Sequence, residues 1–254
     1  MYLGVDEAGK GPVLGPMAAA AVLADPSSLP ADVDDSKRLS PERREAIDAA
    51  LRESDAVAIG VGFVEPAEID RPDTDMNTLT VRGQARATRA ALGGSPAAAA
   101  LGVADTPLDE PVHVVADAGD TSEARFARRL AEFIGGGDGE EEGNAPDRDG
   151  DAAESATLPA VDVEAFHGAD EADPVVGAAS VVAKVARDAR MAAIDADYPE
   201  YGDLGSGYPS DPATRSFLRE YAAGHGAVPD CARRSWATCD DVLAAAEQSA
   251  LDDF

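Results

Sequence analysis

The sequence predicts an α/β fold. Three observations carry that expectation. Five short apolar runs read as strands, helical segments separate most of them, and 254 residues with 44% hydrophobic composition suffice to close a real core. The length suits one such domain with trimmings, or two small ones.

Taken in order, Tyr2–Asp6 is an apolar run ending in charge, a first strand. A Gly/Pro-rich turn over 9–16 leads into a second, Met17–Ala24. Ser40 followed by Pro41 marks a helix start, an N-cap and then a proline at the first helical position, and Ile47 and Leu51 give that helix an apolar edge. Val57, Ile59, Val61 and Phe63 alternate with small residues, which reads as a third strand. Residues 76–92 are helical. Val112–Ala116 is a buried-type fourth strand stopping at Asp117, and 123–133 is a helix with Phe126, Leu130 and Phe133 on one side. Val161–Phe166 is the fifth strand. Pro174–Asp195 is a long Ala/Val-rich helix, expected to be buried on most faces, and two more helices follow near 211–223 and 238–249. Two stretches fall outside this pattern. Residues 93–111 read as a linker-like loop. Residues 135–156 hold six glycines and eight acids against one arginine; that composition buries too little surface to offset its ordering entropy, so a disordered acidic insertion is expected, projecting from a sheet edge.

The charge balance excludes several classes. There are 49 Asp and Glu against 21 Lys and Arg, a formal net charge of −28, so bulk positive field cannot hold this chain to a membrane or to nucleic acid. No run of eighteen apolar residues exists that would span a bilayer. The opening MYLGVDEAGKG is not a signal peptide, which makes a cytoplasmic protein the expectation. Cys231 and Cys239 are too few for a disulfide framework or a zinc site and read as reduced thiols. Only three of the basic residues are lysines, Lys10, Lys37 and Lys184. An acid excess with almost no lysine looks like a protein from a salt-saturated cytoplasm, and three lysines that escaped such depletion draw attention to their segments.

Four acids stand where an α/β sheet puts chemistry, at or just beyond strand ends. Asp6 and Glu7 close the first strand, Asp117 ends the fourth, and Asp170 lies in the loop between Phe166 and the buried helix. Among so many acids a strand-end carboxylate alone means little. Context singles these out. Asp6-Glu7 is followed by Ala-Gly-Lys-Gly-Pro, a turn whose backbone N–H groups can approach a ligand, and Asp170 precedes the helix that carries Lys184. Carboxylates without histidine or thiolate suit hard cations such as Mg²⁺ or Mn²⁺. His113, His167 and His225 have no helical partner at metal-binding spacing; His167 lies near a strand end, where a structural role is expected. No G-x-S-x-G joins a strand to a helix, and the glycine turn lacks Walker A spacing.

The run GVDEAGKGPVLGP (4–16) resembles the opening signature of type 2 ribonucleases H, the ribonuclease HII family, in its archaeal form. DSKRLS (35–40), VVADAGD (114–120) with RF at 125–126, ADEADPVVGAASVVAKVARD (169–188), GSGYPSDPAT (205–214) and RRSW (233–236) follow in the family's order. The resemblance implies a ribonuclease H-like mixed five-stranded sheet flanked by helices, with a C-terminal helical portion. It divides the chain into a catalytic domain over 1–236, carrying the insertion, and a C-terminal helix and tail over 237–254. It implies an endoribonuclease that cuts RNA in RNA–DNA hybrids and on the 5′ side of ribonucleotides embedded in duplex DNA, leaving 3′-hydroxyl and 5′-phosphate ends. Asp6, Glu7, Asp117 and Asp170 would hold two Mg²⁺ or Mn²⁺ ions. Gly9, Lys10 and Gly11 with Tyr208 would read the ribose 2′-hydroxyl, and Lys10, Lys37 and Lys184 would contact phosphates. The family turn is usually Gly-Arg-Gly; Lys10 loses the bidentate fork of Arg but keeps the phosphate charge. Glycine at 168 and alanine at 237 stand where lysine is common, and those two departures bear on phosphate affinity rather than on the chemistry. At the C-terminus, Gln248-x-x-Leu251-x-x-Phe254 resembles the peptide that sliding clamps (PCNA) bind, with one terminal aromatic instead of two. The expected protein is a monomer without membrane contact. A phosphate- or nucleotide-binding protein built on the glycine turn, and a non-catalytic adaptor on the same fold, are the alternatives.

Overall fold

A computed structural model describes residues 1–31, 33, 39–93, 101, 111–136 and 158–252, with side chains as far as Gln248. Five strands form one sheet in the order β3-β2-β1-β4-β5: β1 Tyr2–Ala8, β2 Met17–Ala24, β3 Val57–Val64, β4 Val112–Asp117 and β5 Val161–Phe166. The first three pair antiparallel, while β1–β4 and β4–β5 pair parallel, so the sheet is mixed and β1 lies at its centre. The helices are α1 Pro41–Glu53, α2 Pro66–Ile69, α3 Met76–Leu92, α4 Glu123–Ile134, α5 Ala169–Ala172, α6 Pro174–Asp197, α7 Pro212–His225 and α8 Ala237–Asp252.

Helices cover both faces of the sheet, which is why β2 is buried along all 8 of its residues. On one face Val81, Ala85, Phe126 and Leu130 of α3 and α4 pack on Leu3, Val5 and Val114. On the other, Val175, Ala179 and Val182 of α6, with Ile47 and Leu51 of α1, pack on Ala20 and Val22. Gly4 makes the second contact close: a Cβ there would stand 2.4 Å from the Val175 carbonyl carbon. A third core joins Val13 and Leu14 of the turn after β1 to Met191, Phe217, Leu218 and Val242. Through it the C-terminal helices α7 and α8 are packed against the turn.

The strands and long helices lie where the hydrophobic pattern puts them, and the Ser40 hydroxyl caps α1 by accepting from the Arg43 N–H, with Pro41 at the first position. Three expectations need correction. β1 runs on to Ala8, so Asp6 and Glu7 are strand residues, not the residues that end it. Asp170 is on the single turn of α5 rather than in a loop. α6 is buried throughout only from Val175 to Ala183; beyond it only Arg187 and Met191 are buried, because Lys184, Asp188, Arg190 and Asp195 give the second half a solvated face. All but the first two residues of the expected insertion, most of the 93–111 loop, Lys37 and Phe254 lie outside the described residues. Among the described residues no helix is long and apolar enough to cross a membrane.

Candidate active site

Asp6 and Glu7 are neighbours in an extended strand, so their side chains leave on opposite faces of the sheet. Each meets a helix. Asp6 faces α6, where the Ser180 hydroxyl bonds it, and Lys184 in turn donates to the Ser180 Oγ. Glu7 faces α3, where its Oε2 accepts from the Gln84 Nε2 at 2.7 Å; the same amide donates to the Asp117 carbonyl at 3.1 Å. Gln84 thereby links the ends of β1 and β4. Asp117 accepts from the Ala169 N–H at 2.9 Å, which ties β4 to α5 and brings Asp170 over the strand ends. The four acids line one cavity of about 650 Å³, together with Gly9, Lys10, Gly11, Lys184 and Tyr208.

The site concentrates negative charge in a buried place. Asp6 is 4% exposed and Asp170 5%. Burial, then the Glu7 carboxylate, raises the Asp6 carboxyl well above the ordinary range; Ser180 and Lys184 pull it back, and Asp117 adds to the rise. Burial likewise raises Glu7, against the pull of Lys10 and Gln84 and with the repulsion of Asp117 and Asp170. Charges held like this favour a divalent cation, and four oxygen donors without nitrogen or sulfur suit a hard one. As the side chains stand, no three Asp, Glu, His or Cys groups among the described residues close on one point where an ion could sit. An ion would therefore draw carboxylates inward as it relieves their repulsion. The donor chemistry fits such a group.

The opposite wall is the glycine turn. Gly9 has φ of +89°, and a Cβ there would meet the Arg187 side chain at 2.4 Å, so any other residue would be strained and would displace Arg187. Lys10 points inward: its Nζ donates to the Gly119 carbonyl at 2.9 Å and stands 3.9 Å from Glu7 Oε1. Tyr208 is 43% exposed at the cavity wall, its ring 5.8 Å from the Arg187 guanidinium carbon. Its loop is held to the turn by Val13 N–H donating to the Gly207 carbonyl at 2.7 Å. His167 lies off the cavity and contacts the Ala118 carbonyl through Nδ1. At the C-terminus Gln248 and Leu251 are on α8, remote in sequence from these elements.

Several residues of this site were not legible in the sequence. Arg187, buried on α6, reaches toward the Leu14 and Ser206 carbonyls at 3.4 and 3.3 Å. Arg233 is fully buried and donates to the carbonyls of Gly9, Lys10 and Gly15 at 2.6, 2.9 and 3.0 Å. Asp70, just after α2, accepts from the N–H groups of Arg234 and Ser235 and so anchors the segment that carries Arg233. The resemblance singled out the segments that carry Arg187 and Arg233 but not their roles, since their partners are far away in the chain and no local pattern announces those bonds.

Residues 3–101 and 143–239 match the model of the family described as Ribonuclease HII. A ribonuclease HII from the halophilic archaeon Haloarcula marismortui is 52% identical over the whole of both chains. Among solved structures, the ribonuclease H2 of Pyrococcus horikoshii superposes with a TM-score of 0.71 at 29% identity, covering 97% of this chain and 98% of that one. The ribonuclease HII in the PCNA:RNase HII complex from Archaeoglobus fulgidus is 31% identical with a TM-score of 0.66, covering 93% of this chain and 95% of its own.

Proposed function

The chain belongs to the ribonuclease HII family and is a ribonuclease H, a hydrolase of RNA in RNA–DNA hybrids; from that premise we propose that it also cuts duplex DNA on the 5′ side of an embedded ribonucleotide, leaving 3′-hydroxyl and 5′-phosphate ends. The observation that carries this reading is the pairing, across one cavity, of four acids with a glycine turn and an exposed tyrosine. One wall handles the phosphate and the other tests for ribose.

Asp6, Glu7, Asp117 and Asp170 are the proposed holders of two Mg²⁺ or Mn²⁺ ions, which when bound supply Lewis-acid activation of water and stabilisation of the leaving 3′-oxygen. Ser180 and Gln84 keep Asp6 and Glu7 in place. Lys184 and Lys10, both at the cavity, offset part of the acid charge and in this reading face substrate phosphates. Lys37 is the third proposed phosphate contact. The N–H groups of the 9–11 turn and the Tyr208 hydroxyl read the 2′-hydroxyl, and the Tyr208 ring packs on the neighbouring sugar. Because the donors are preset, a deoxyribonucleotide leaves them unpaired, and that loss is the source of discrimination.

The same proposal covers the rest of the molecule. Residues 1–236 form the catalytic domain, and 237–254 carry the tail. The A. fulgidus relative forms a complex with PCNA, and the spacing of Gln248, Leu251 and Phe254 supports an equivalent contact here. Leu251 and Phe254 would share one side of a helical turn. The enzyme is placed in the cytoplasm, as a monomer when off the clamp. The test of the catalytic reading is a duplex containing one ribonucleotide, set against an all-DNA duplex, with and without Mn²⁺. A single cut at the ribonucleotide that requires the ion supports it; equal cutting of both duplexes overturns it.

A further inference from the structure

Arg233 is a buried guanidinium whose bonds run to carbonyls, not to a carboxylate. It donates to Gly9, Lys10 and Gly15, which lie 224, 223 and 218 positions away in the chain. Its guanidinium stacks over Trp236 at 5.2 Å, and the Trp236 indole N–H donates to the Gly11 carbonyl at 3.3 Å. Three successive carbonyls, those of Gly9, Lys10 and Gly11, are therefore all drawn toward the 233–236 segment.

That arrangement fixes where the N–H groups point. In a trans peptide the carbonyl and the following N–H project in opposite directions. With the Gly9 and Lys10 carbonyls turned to a fully buried arginine, the N–H groups of Lys10 and Gly11 are turned the other way, toward the cavity those residues line. Neither N–H has a hydrogen-bond partner among the described residues. Two adjacent, outward-facing, unpaired N–H groups make a concavity that accepts an oxygen.

Tethering alone does not account for the arginine. The backbone already holds this segment to the turn: Arg233 N–H donates to the Val13 carbonyl at 2.8 Å, Gly15 N–H donates to the Cys231 carbonyl at 2.8 Å, and Leu14 bridges to Ala232. Asp70 clasps Arg234 and Ser235 from the other side. A charge buried without a counter-charge is costly unless it is fully hydrogen-bonded. What the guanidinium adds is the orientation of two peptide planes, which needs a planar fork of donors.

We infer that Arg233 is a positioning residue for ribose recognition: it aims the Lys10 and Gly11 N–H groups at the substrate's 2′-oxygen and so sets the preference for ribose over deoxyribose. This rests on the reading that the turn tests the sugar. Lysine at 233 keeps the charge and loses the fork. The test compares wild type, Arg233→Lys and Phe126→Leu, the last a buried change in the α4 core away from the turn. The readout is the ratio of affinities for a duplex with one ribonucleotide and the same duplex in all-DNA form, together with kcat and KM on the first.

In Arg233→Lys the affinity ratio falls by about tenfold or more, the scale of one preset hydrogen bond lost, while Phe126→Leu keeps the wild-type ratio. An unchanged ratio in a folded Arg233→Lys protein overturns the inference, as does an equal fall in Phe126→Leu. If the lysine variant does not fold, the wild-type amides decide. The Lys10 and Gly11 N–H resonances shift and exchange more slowly on adding the ribonucleotide duplex and not the all-DNA duplex; no selective response overturns the inference. A wild-type protein with no preference for the ribonucleotide duplex is a separate outcome, which overturns the underlying sugar-reading proposal and the inference with it.

Discussion

At the residue scale the site sets stability against function. Asp6 is buried, Glu7 next to it in β1 is half-buried with its side chain 7% exposed, and both carboxyls are raised, Asp6 first by burial and then by Glu7. Carrying these charges without a cation costs folding free energy. Asp6→Asn therefore raises the melting temperature of the metal-free protein, by about 2–4 °C for each kcal/mol of repulsion removed; a calorimetric scan in chelator checks this, and a lower melting temperature refutes it. Tyr208 makes the opposite case. At 43% exposure it contributes little to any core, so Tyr208→Ala leaves the melting temperature within about 2 °C, as expected of surface changes, and cuts kcat/KM on a single-ribonucleotide duplex by about tenfold or more. Unfolding of that variant would show a structural tyrosine instead. The acids were visible in the sequence because Asp6, Glu7 and Asp117 close apolar runs, and because the glycine turn and the ordered family motifs single out those three and Asp170. The roles of Arg233 and Arg187 were not, although both lie in family motifs, because a buried arginine that serves distant carbonyls looks in sequence like any other arginine.

At the element scale, function depends on how closely β1 and α6 approach. Gly4 faces the Val175 backbone with no room for a methyl group, a Cβ standing 2.4 Å from it. Gly4→Ala must push the helix off the strand, and overpacking of that kind costs about 1–3 kcal/mol. Because Asp6 is on β1 and Ser180 on α6, activity falls along with stability; a variant with both unchanged would refute the close-contact account. A second element-scale effect is acid-dependent. Asp120 accepts a forked bond from Arg125, at 2.9 and 2.5 Å, which with the adjoining charge lowers its carboxyl to about 2. A depressed pKa contributes stability that is full above the unfolded value of about 3.9 and is lost as pH falls toward 2. Asp120→Asn flattens the stability profile in that window, measured by denaturant unfolding between pH 5 and 2. Strands and long helices were legible because apolar periodicity is local. The single turn α5, which carries Asp170, was not, since four residues show no period; its placement comes from the Asp117–Ala169 bond.

At the scale of the whole molecule, the net charge of −28 is the dominant fact. At molar salt the Debye length is roughly 3 Å, so that self-repulsion is largely screened. The melting temperature rises with KCl up to the molar range, and cleavage persists there although phosphate contacts normally weaken with salt; fastest turnover at low salt would contradict this. Tethering also helps such an enzyme by raising effective concentration at its substrate. Calorimetric titration with the cognate clamp tests the tail, with binding by wild type and loss in Phe254→Ala expected. Asp6, Glu7, Asp117 and Asp170 are proposed to form one metal-dependent centre. Its most direct measurement is the rate of cleavage of a single-ribonucleotide duplex against Mn²⁺ concentration, for wild type and for Asp6→Asn, Glu7→Gln, Asp117→Asn and Asp170→Asn, each shown to be folded by circular dichroism. Losing several kcal/mol of charge stabilisation lowers each variant's rate by about a thousandfold at saturating ion. A folded variant that turns over at close to the wild-type rate would contradict it.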